Sequence, residues 1–281
     1  MKNFLNANVE IYKSNEHSVV FRVYPDLPKM KYLPGQYGSL GLPSHKMDKL
    51  VKRAYSISSS IIDINSKNLI NPDDEKYLEF YINRVLEINN KREQITPKIF
   101  KLNDGDRIFC GEKIIGHYTV PENINWESIL FISTHTGESP NNSIINSLIR
   151  SNRMIKICNI NSGNNWRSIY TSEHEILESS VKNYKFKQFF DTTSDYTDLY
   201  NYISKLVSND ELSIKELGFE INKKTLIMLC GDPKMIGAPI KKGAFEYEYP
   251  NYGLINTFRK ASFEITTRFK QGNIIYESYW K

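Results

Sequence analysis

The hydrophobic rhythm of this 281-residue chain changes once, near Pro121, and that change limits the fold more than any other feature. Before it, "NVEIYKSNEHSVVFRVYP" alternates apolar and polar residues on both sides of a polar "SNEH" turn, the mark of a hairpin. "PGQYGSLGL", "RAYSISSS", "KYLEFYINRV" and "DGDRIFCG" continue with short strands spaced by turn residues. So many short strands in about 115 residues predict a small antiparallel barrel. In "ITPKIFKLN", Thr96 before Pro97 reads as a helix start. After Pro121 the runs "SILFIS", "MIKICNI", "KFKQFF" and "TLIMLC" alternate with amphipathic stretches such as "PNNSIINSLIRS", "SEHEILESSVKNY" and "TDLYNYISKLVS". Strand and helix in alternation predict βαβ units on a parallel sheet. The expected organisation is two domains, an antiparallel β-barrel over 1–121 and an α/β domain with a parallel sheet over 122–281. Asp63 to Lys76 is expected to be a surface loop.

Composition removes several functional classes. No run of eighteen apolar residues occurs, so no transmembrane helix is expected. The N-terminal stretch lacks the basic, apolar, small-residue order of a signal peptide, and a cytoplasmic protein is expected. Cys110, Cys158 and Cys230 lie far apart inside apolar runs and read as small buried hydrophobes. They cannot ligate an iron–sulfur cluster, which needs about four closely placed thiolates. The 5 histidines are scattered, so no metal site is expected. Electron transfer in such a chain requires an organic cofactor. The net charge of +5 is modest, and the basic residues are not interleaved with aromatics as a nucleic-acid surface requires.

Three motifs carry chemistry. In "RAYSISSS", Arg53 offers a planar, permanently charged fork suited to a pyrophosphate. Tyr55 falls on the same strand face, with Ala54 between them, and Ser56 adds a donor close by. The stretch "ILFISTHTGESPNNSIINSLI" has the strand–turn–helix layout of a phosphate-cradling loop, with His135 where such a turn most wants a glycine. "CGDP" lies at the carboxyl end of an expected parallel strand, where open α/β sheets bind ligands.

In this order and spacing, these motifs resemble the ferredoxin–NADP reductase superfamily, in particular the bacterial ferredoxin/flavodoxin reductases. The resemblance runs from about Asn8 to the C-terminus. It takes in "PGQYGSLGL", "LEFYINRV", "REQITPKIFKLNDGDRI", "GHYTV" closing the barrel, "THTGESPNN", "LCGDPKMI" and "GNIIYESYW". It implies FAD as cofactor and NADP(H) as coenzyme, with NAD(H) as the alternative. Within that likeness Arg53, with Ala54 beside it, holds the FAD pyrophosphate. Tyr55 packs beside the flavin and Ser56 lies near its reactive N5. Tyr81, Asn83, Val85, Ile95 and Thr96 fall at the FAD, although the glycine usual before the helix start is missing from "NNKREQIT". Thr119 matches a position close to the flavin ring. Cys230 and Gly231, followed by Asp232, line the nicotinamide approach, and Tyr279 and Trp280 match the aromatic ending that packs on FAD. Ser56, Thr119 and Cys230 are thus the residues expected around hydride transfer.

The family's coenzyme turn reads approximately T-G-T-G-x-A-P. This chain keeps Thr134, Thr136, Gly137 and Pro140 but has His135 and Ser139 at the other two places. Histidine is among the non-glycine residues enriched at positive φ, so a reshaped turn that still binds coenzyme through Thr136 and Gly137 is expected. The family places arginines for the 2′-phosphate after the second and third strands of the α/β domain. Here those loops read "NINSGNNWRSIY" and "FFDTTSDY". Arg167 comes late, Asp191 and Asp195 are acidic, and Ser162, Asn164 and Ser168 offer hydrogen bonds without charge. The resemblance implies a ferredoxin (flavodoxin)–NADP⁺ reductase whose acidic carrier docks on Lys46, Lys49, Lys52, Arg150 and Arg153; a plain solvated surface is the other reading of those cations. The acidic loop keeps open an NADH-dependent flavin or oxygenase-reductase component. His135 keeps open a non-catalytic FAD-binding electron-relay protein.

Overall fold

The computed structural model describes residues 5–44, 49–84, 94–151, 153–164, 166–190, 195–243 and 246–279. Val85 and Trp280, together with Lys46 and Asp191, lie outside the described residues. The strands β1 (Ala7–Ser14), β2 (Ser18–Pro25), β3 (Tyr37–Pro43), β4 (Leu50–Ser58), β5 (Leu78–Asn83) and β6 (Arg107–Cys110) form a closed barrel in the order β1-β2-β5-β4-β3-β6. The alternating pattern explains the closure. Val9, Val19, Phe21, Val23, Leu40, Ile57, Phe80 and Ile108 point into one core, and each such side chain stabilises the fold by about 1.5–3 kcal/mol. β6 pairs with both β1 and β3 and so shuts the ring. "GHYTV" does not close it: residues 116–120 form no strand, because Gly116 (φ +139°) breaks the run after the single Tyr37–Ile115 bridge.

The helix expected at Thr96 is one turn, α1 (Thr96–Ile99), with Pro97 in its first turn and Ile95 as an N-cap that makes no side-chain capping bond. It stops early because Ile95 and Ile99 both drop into the barrel core.

The second half alternates as expected. β7 (Ser128–Thr134) is followed by α2 (Glu138–Arg150), β8 (Lys156–Asn164), α3 (Thr171–Ser180) and β9 (Tyr184–Phe190). Then come α4 (Thr197–Val207), α5 (Glu211–Leu217), β10 (Thr225–Gly231) and α6 (Pro233–Ile236). A short hairpin, β11 (Ile240–Lys241) with β12 (Tyr247–Glu248), precedes α7 (Gly253–Lys260) and β13 (Ile274–Ser278). The parallel sheet runs β13-β10-β7-β8-β9. Its central strands β7 and β10 are buried along their whole length, which accounts for their unbroken apolar runs. α2 is wedged between this sheet and the barrel. Its apolar Ile144, Ile145 and Leu148 meet the sheet's core, and its polar face is buried too. There Asn146 donates to the carbonyls of Ser60 (3.2 Å) and Ile70 (2.9 Å), and Tyr118 donates to Asn141 (2.8 Å). Among the described residues no helix is long and apolar enough to cross a membrane.

Candidate active site

A cleft of about 300 Å³ opens between the barrel and the carboxyl edge of the parallel sheet. Its barrel wall comes from adjacent strands. β3 and β4 pair so that Ser56 stands opposite Tyr37, and Arg53, Ala54, Tyr55 and Ser56 follow one another along the wall. Tyr81 and Asn83 from β5 and Thr96 from α1 complete it. The Tyr55 hydroxyl meets the Thr96 hydroxyl at 3.0 Å, which fixes the Tyr55 ring, and burial pushes its phenol up from the ordinary value. The sequence-derived residues Arg53, Ala54, Tyr55, Ser56, Tyr81, Asn83 and Thr96 are therefore brought together. Ile95 is not among them; it packs in the barrel core.

The opposite wall is made by Thr136, Ser139, Glu277, Ser278 and Tyr279. β10 and β13 are parallel neighbours with Cys230 beside Glu277 and Gly231 beside Ser278. The Tyr279 amide donates to the Gly231 carbonyl (3.0 Å), turning the phenol toward the barrel. Its hydroxyl donates to Ser56 Oγ at 2.9 Å and lies 3.2 Å from a second acceptor, the Thr136 carbonyl. Cys230 is not on the cleft wall: it is fully buried in the sheet's core, against which Tyr279 packs. Burial raises the Cys230 thiol and, with the neighbouring Cys230 and Glu277, the Tyr279 phenol; both carry their protons at neutral pH. Burial alone pushes the Glu277 carboxyl up to about 7.

The altered turn lies directly behind this wall. His135 adopts φ 51° in a single 3₁₀ turn, His135–Gly137, that runs straight into α2. Histidine thus takes the left-handed backbone that glycine takes freely. The two glycines serve the packing of strand ends. A Cβ on Gly137 would lie 2.3 Å from the Cys230 carbonyl oxygen, and one on Gly231 (φ +126°) would lie 2.2 Å from Thr134 Oγ1. Thr134 Oγ1 accepts from the Asp232 amide (2.8 Å). The Asp232 carboxylate caps α6 through Lys234 N (2.7 Å) and accepts from Tyr196 (2.7 Å). Gly137, Gly231 and Asp232 therefore build the turn on which Thr136, Cys230 and Tyr279 rest.

Thr119 stands apart. It lines a second cavity of about 470 Å³ with Ile144, Leu148 and Arg153 and is not on the wall of the first. Of the residues considered for a coenzyme phosphate, Arg167 is paired with Glu175, and Ser168 is buried and donates to Glu138. Ser162 is buried as well. Tyr37 and Glu277 line the cleft and escape the sequence reading, and Ser139, noted there only as a departure in the turn, lines it too. Glu277 was detectable as the acid inside the terminal "ESYW", but only the register with Cys230 gives it a place.

No protein-family model matches the chain. The flavodoxin/ferredoxin–NADP reductase of Buchnera aphidicola subsp. Schizaphis graminum is 25% identical over 293 residues, covering 100% of both chains. Its counterpart from Buchnera aphidicola subsp. Baizongia pistaciae is 26% identical over 283 residues, again across 100% of each. Among solved structures, the ferredoxin NADP⁺ reductase of Neisseria gonorrhoeae, with bound FAD and NADP, superposes with TM-score 0.66 at 18% identity, over 97% of each chain. That of Plasmodium falciparum, with 2′P-AMP, gives TM-score 0.65 at 17% identity over 98% of this chain and 96% of the other. The chain thus shares its fold with ferredoxin–NADP⁺ reductases and is similar in sequence, over its whole length, to flavodoxin/ferredoxin–NADP reductases.

Proposed function

We propose that the chain is an FAD-dependent ferredoxin (flavodoxin)–NADP⁺ reductase, with residues 1–121 holding FAD and 122–281 receiving the nicotinamide coenzyme. The observation that carries this reading is the meeting of Ser56, from the barrel, with Tyr279, from the end of the sheet, on opposite walls of the cleft. The names of the Buchnera relatives, and the FAD and NADP in the Neisseria structure, support it.

The cleft fits a flavin. Asn83 Oδ1 and Glu277 Oε2 line it as buried acceptors with no hydrogen-bond partner, the kind of atom that a ring edge bearing N–H groups satisfies. Tyr37 and Tyr55 bring aromatic rings, and Arg53 brings a cation for phosphate. Bound FAD supplies two-electron exchange with a nicotinamide and one-electron exchange with a protein carrier. The chain's own residues do the rest. Arg53 binds negative charge, and Thr96 holds Tyr55 in place. Ser56 and Tyr279 fix one another across the cleft, and Cys230 stays a neutral thiol in the buried core against which Tyr279 packs. Glu277 holds a proton at its carboxyl up to near neutral pH. Catalysis then rests on proximity and orientation.

The test is NADPH-driven electron transfer from the FAD-loaded protein to a ferredoxin or flavodoxin. Carrier reduction that depends on both FAD and NADPH is the expected result; tight FAD with no carrier reduction by either coenzyme overturns it. A second reading, an NADH-dependent flavin or oxygenase reductase, is favoured by one observation. Arg167 is engaged by Glu175 and Ser168 faces Glu138, so neither neutralises a 2′-phosphate. The proposed carrier surface includes Lys49, Lys52, Arg150 and Arg153. Lys52 lies 3.9 Å over the Phe109 ring and Arg150 sits 3.8 Å from Asp73, so part of this charge is already partnered.

A further inference from the structure

Tyr170 belongs to the α/β half, just ahead of α3, yet its side chain ends inside the barrel's wall and is fully buried. Its hydroxyl donates to Glu79 Oε1 at 2.9 Å and lies 3.0 Å from Ser58 Oγ. Ser58 and Glu79 are register partners across β4 and β5, so one phenol oxygen bridges both strands at the point where they pair. Strand residues two apart share a face. Ser58 is therefore the same-face neighbour of Ser56, and Glu79 that of Tyr81, both on the cleft wall. The Tyr170 ring also meets the Tyr81 ring edge-on, with centroids 5.3 Å apart and an interplanar angle of 89°.

A second contact reinforces the first. One turn along α3, Glu173 accepts from the Ile61 amide (2.8 Å) and pairs with Lys13 of β1. Glu79 is in turn held by Ser60 Oγ (3.1 Å) and by Arg22 (3.5 Å). Burying carboxylates between domains is costly in desolvation, and an apolar contact of the same area lets two surfaces slide. Directional bonds to buried acids fix the relative placement instead. Neither acid lines the cleft.

We propose that Tyr170 is a positioning residue: by bridging Ser58 and Glu79 it sets the barrel's side of the cleft, Ser56 and Tyr81, against the side contributed by the parallel sheet. This rests on the reading of the cleft as the place where a flavin and a nicotinamide meet. Transfer between two groups carried by different domains depends steeply on placement, with about 1 Å of misplacement enough to lose roughly a hundredfold in rate.

The test compares wild type, Tyr170→Phe and Ser58→Ala after reconstitution with FAD. In anaerobic stopped-flow, the limiting rate of flavin reduction at saturating coenzyme is expected to fall about tenfold in Tyr170→Phe and less in Ser58→Ala. Bound FAD and the coenzyme Kd stay within about twofold of wild type. Calorimetry of the FAD-free proteins provides a second readout: wild type unfolds in one transition, and Tyr170→Phe separates the barrel from the α/β half. Unchanged limiting rates in both variants, or a rate loss matched by loss of FAD, overturns the positioning role. If Tyr170→Phe does not fold, an unchanged Ser58→Ala overturns it alone. Absence of reduction in wild type refutes the functional reading instead, and the calorimetric coupling then decides the clasp by itself.

Discussion

Tyr279 donates a hydrogen bond to Ser56 at 2.9 Å across 223 positions of the chain, and this single contact joins the last described strand of the α/β half to the barrel strand carrying the arginine motif. The phenol also touches the backbone of the turn that carries His135, through the Thr136 carbonyl. A change in that turn is therefore felt at the cleft without any ligand contact by His135 itself.

Removing the phenol isolates this contact. Tyr279→Phe keeps the ring and removes the hydroxyl shared between Ser56 and the Thr136 carbonyl; a loss of about 1 kcal/mol corresponds to roughly a fivefold slower flavin reduction if the contact serves the reaction. Ser56→Ala is expected to act in the same direction, and the double variant to cost less than the two singles combined. Stopped-flow on the three proteins checks the coupling; strictly additive losses contradict it.

Arg53→Ala removes the cation of the barrel wall. Loss of a charge-assisted bond of about 1.5–3 kcal/mol predicts at least a tenfold weaker FAD affinity. Fluorescence titration of FAD-stripped protein measures it, and an unchanged affinity removes Arg53 from the FAD site.

Glu277 gives the FAD-free protein a pH signature. Its carboxyl is raised by burial from 4.5 to about 7, so the folded state holds the proton more tightly than the unfolded chain. The resulting stability is fully present below about 4.5 and is lost as the pH rises through about 7, on the order of 3 kcal/mol in all. Glu277→Gln should flatten this fall. Denaturant melts between these two limits test it, and parallel curves for both proteins contradict it.

The turn separates a tolerant position from two strict ones. His135 already occupies φ 51°, so His135→Gly should change stability by less than about 1 kcal/mol. Gly231→Ala places a Cβ 2.2 Å from Thr134 Oγ1 at φ +126°, and Gly137→Ala places one 2.3 Å from a backbone oxygen. Each is expected to cost more than about 2 kcal/mol. Thermal unfolding of the three variants decides between these outcomes.

Most of the fold was legible because its periods are clean: alternation in β1 and β2 reads as barrel, and the unbroken runs of β7 and β10 read as a buried parallel sheet. The barrel side of the cleft was legible too, since Arg53, Tyr55 and Ser56 are local in sequence. What escaped depends on register between distant elements. Glu277 acquires its place only because β13 lies beside Cys230. The asparagines of α2 look solvent-facing in sequence, yet they are buried because the barrel covers that face. Ser168 looks like a phosphate ligand until the fold turns it toward Glu138.

The reductase function is tested most directly by anaerobic mixing of the FAD-reconstituted protein with NADPH, and in parallel with NADH, while flavin absorbance is followed. Rapid bleaching by NADPH is the expected result; bleaching by NADH alone selects the second reading. A bound flavin that neither coenzyme bleaches, but dithionite does, contradicts the reductase function.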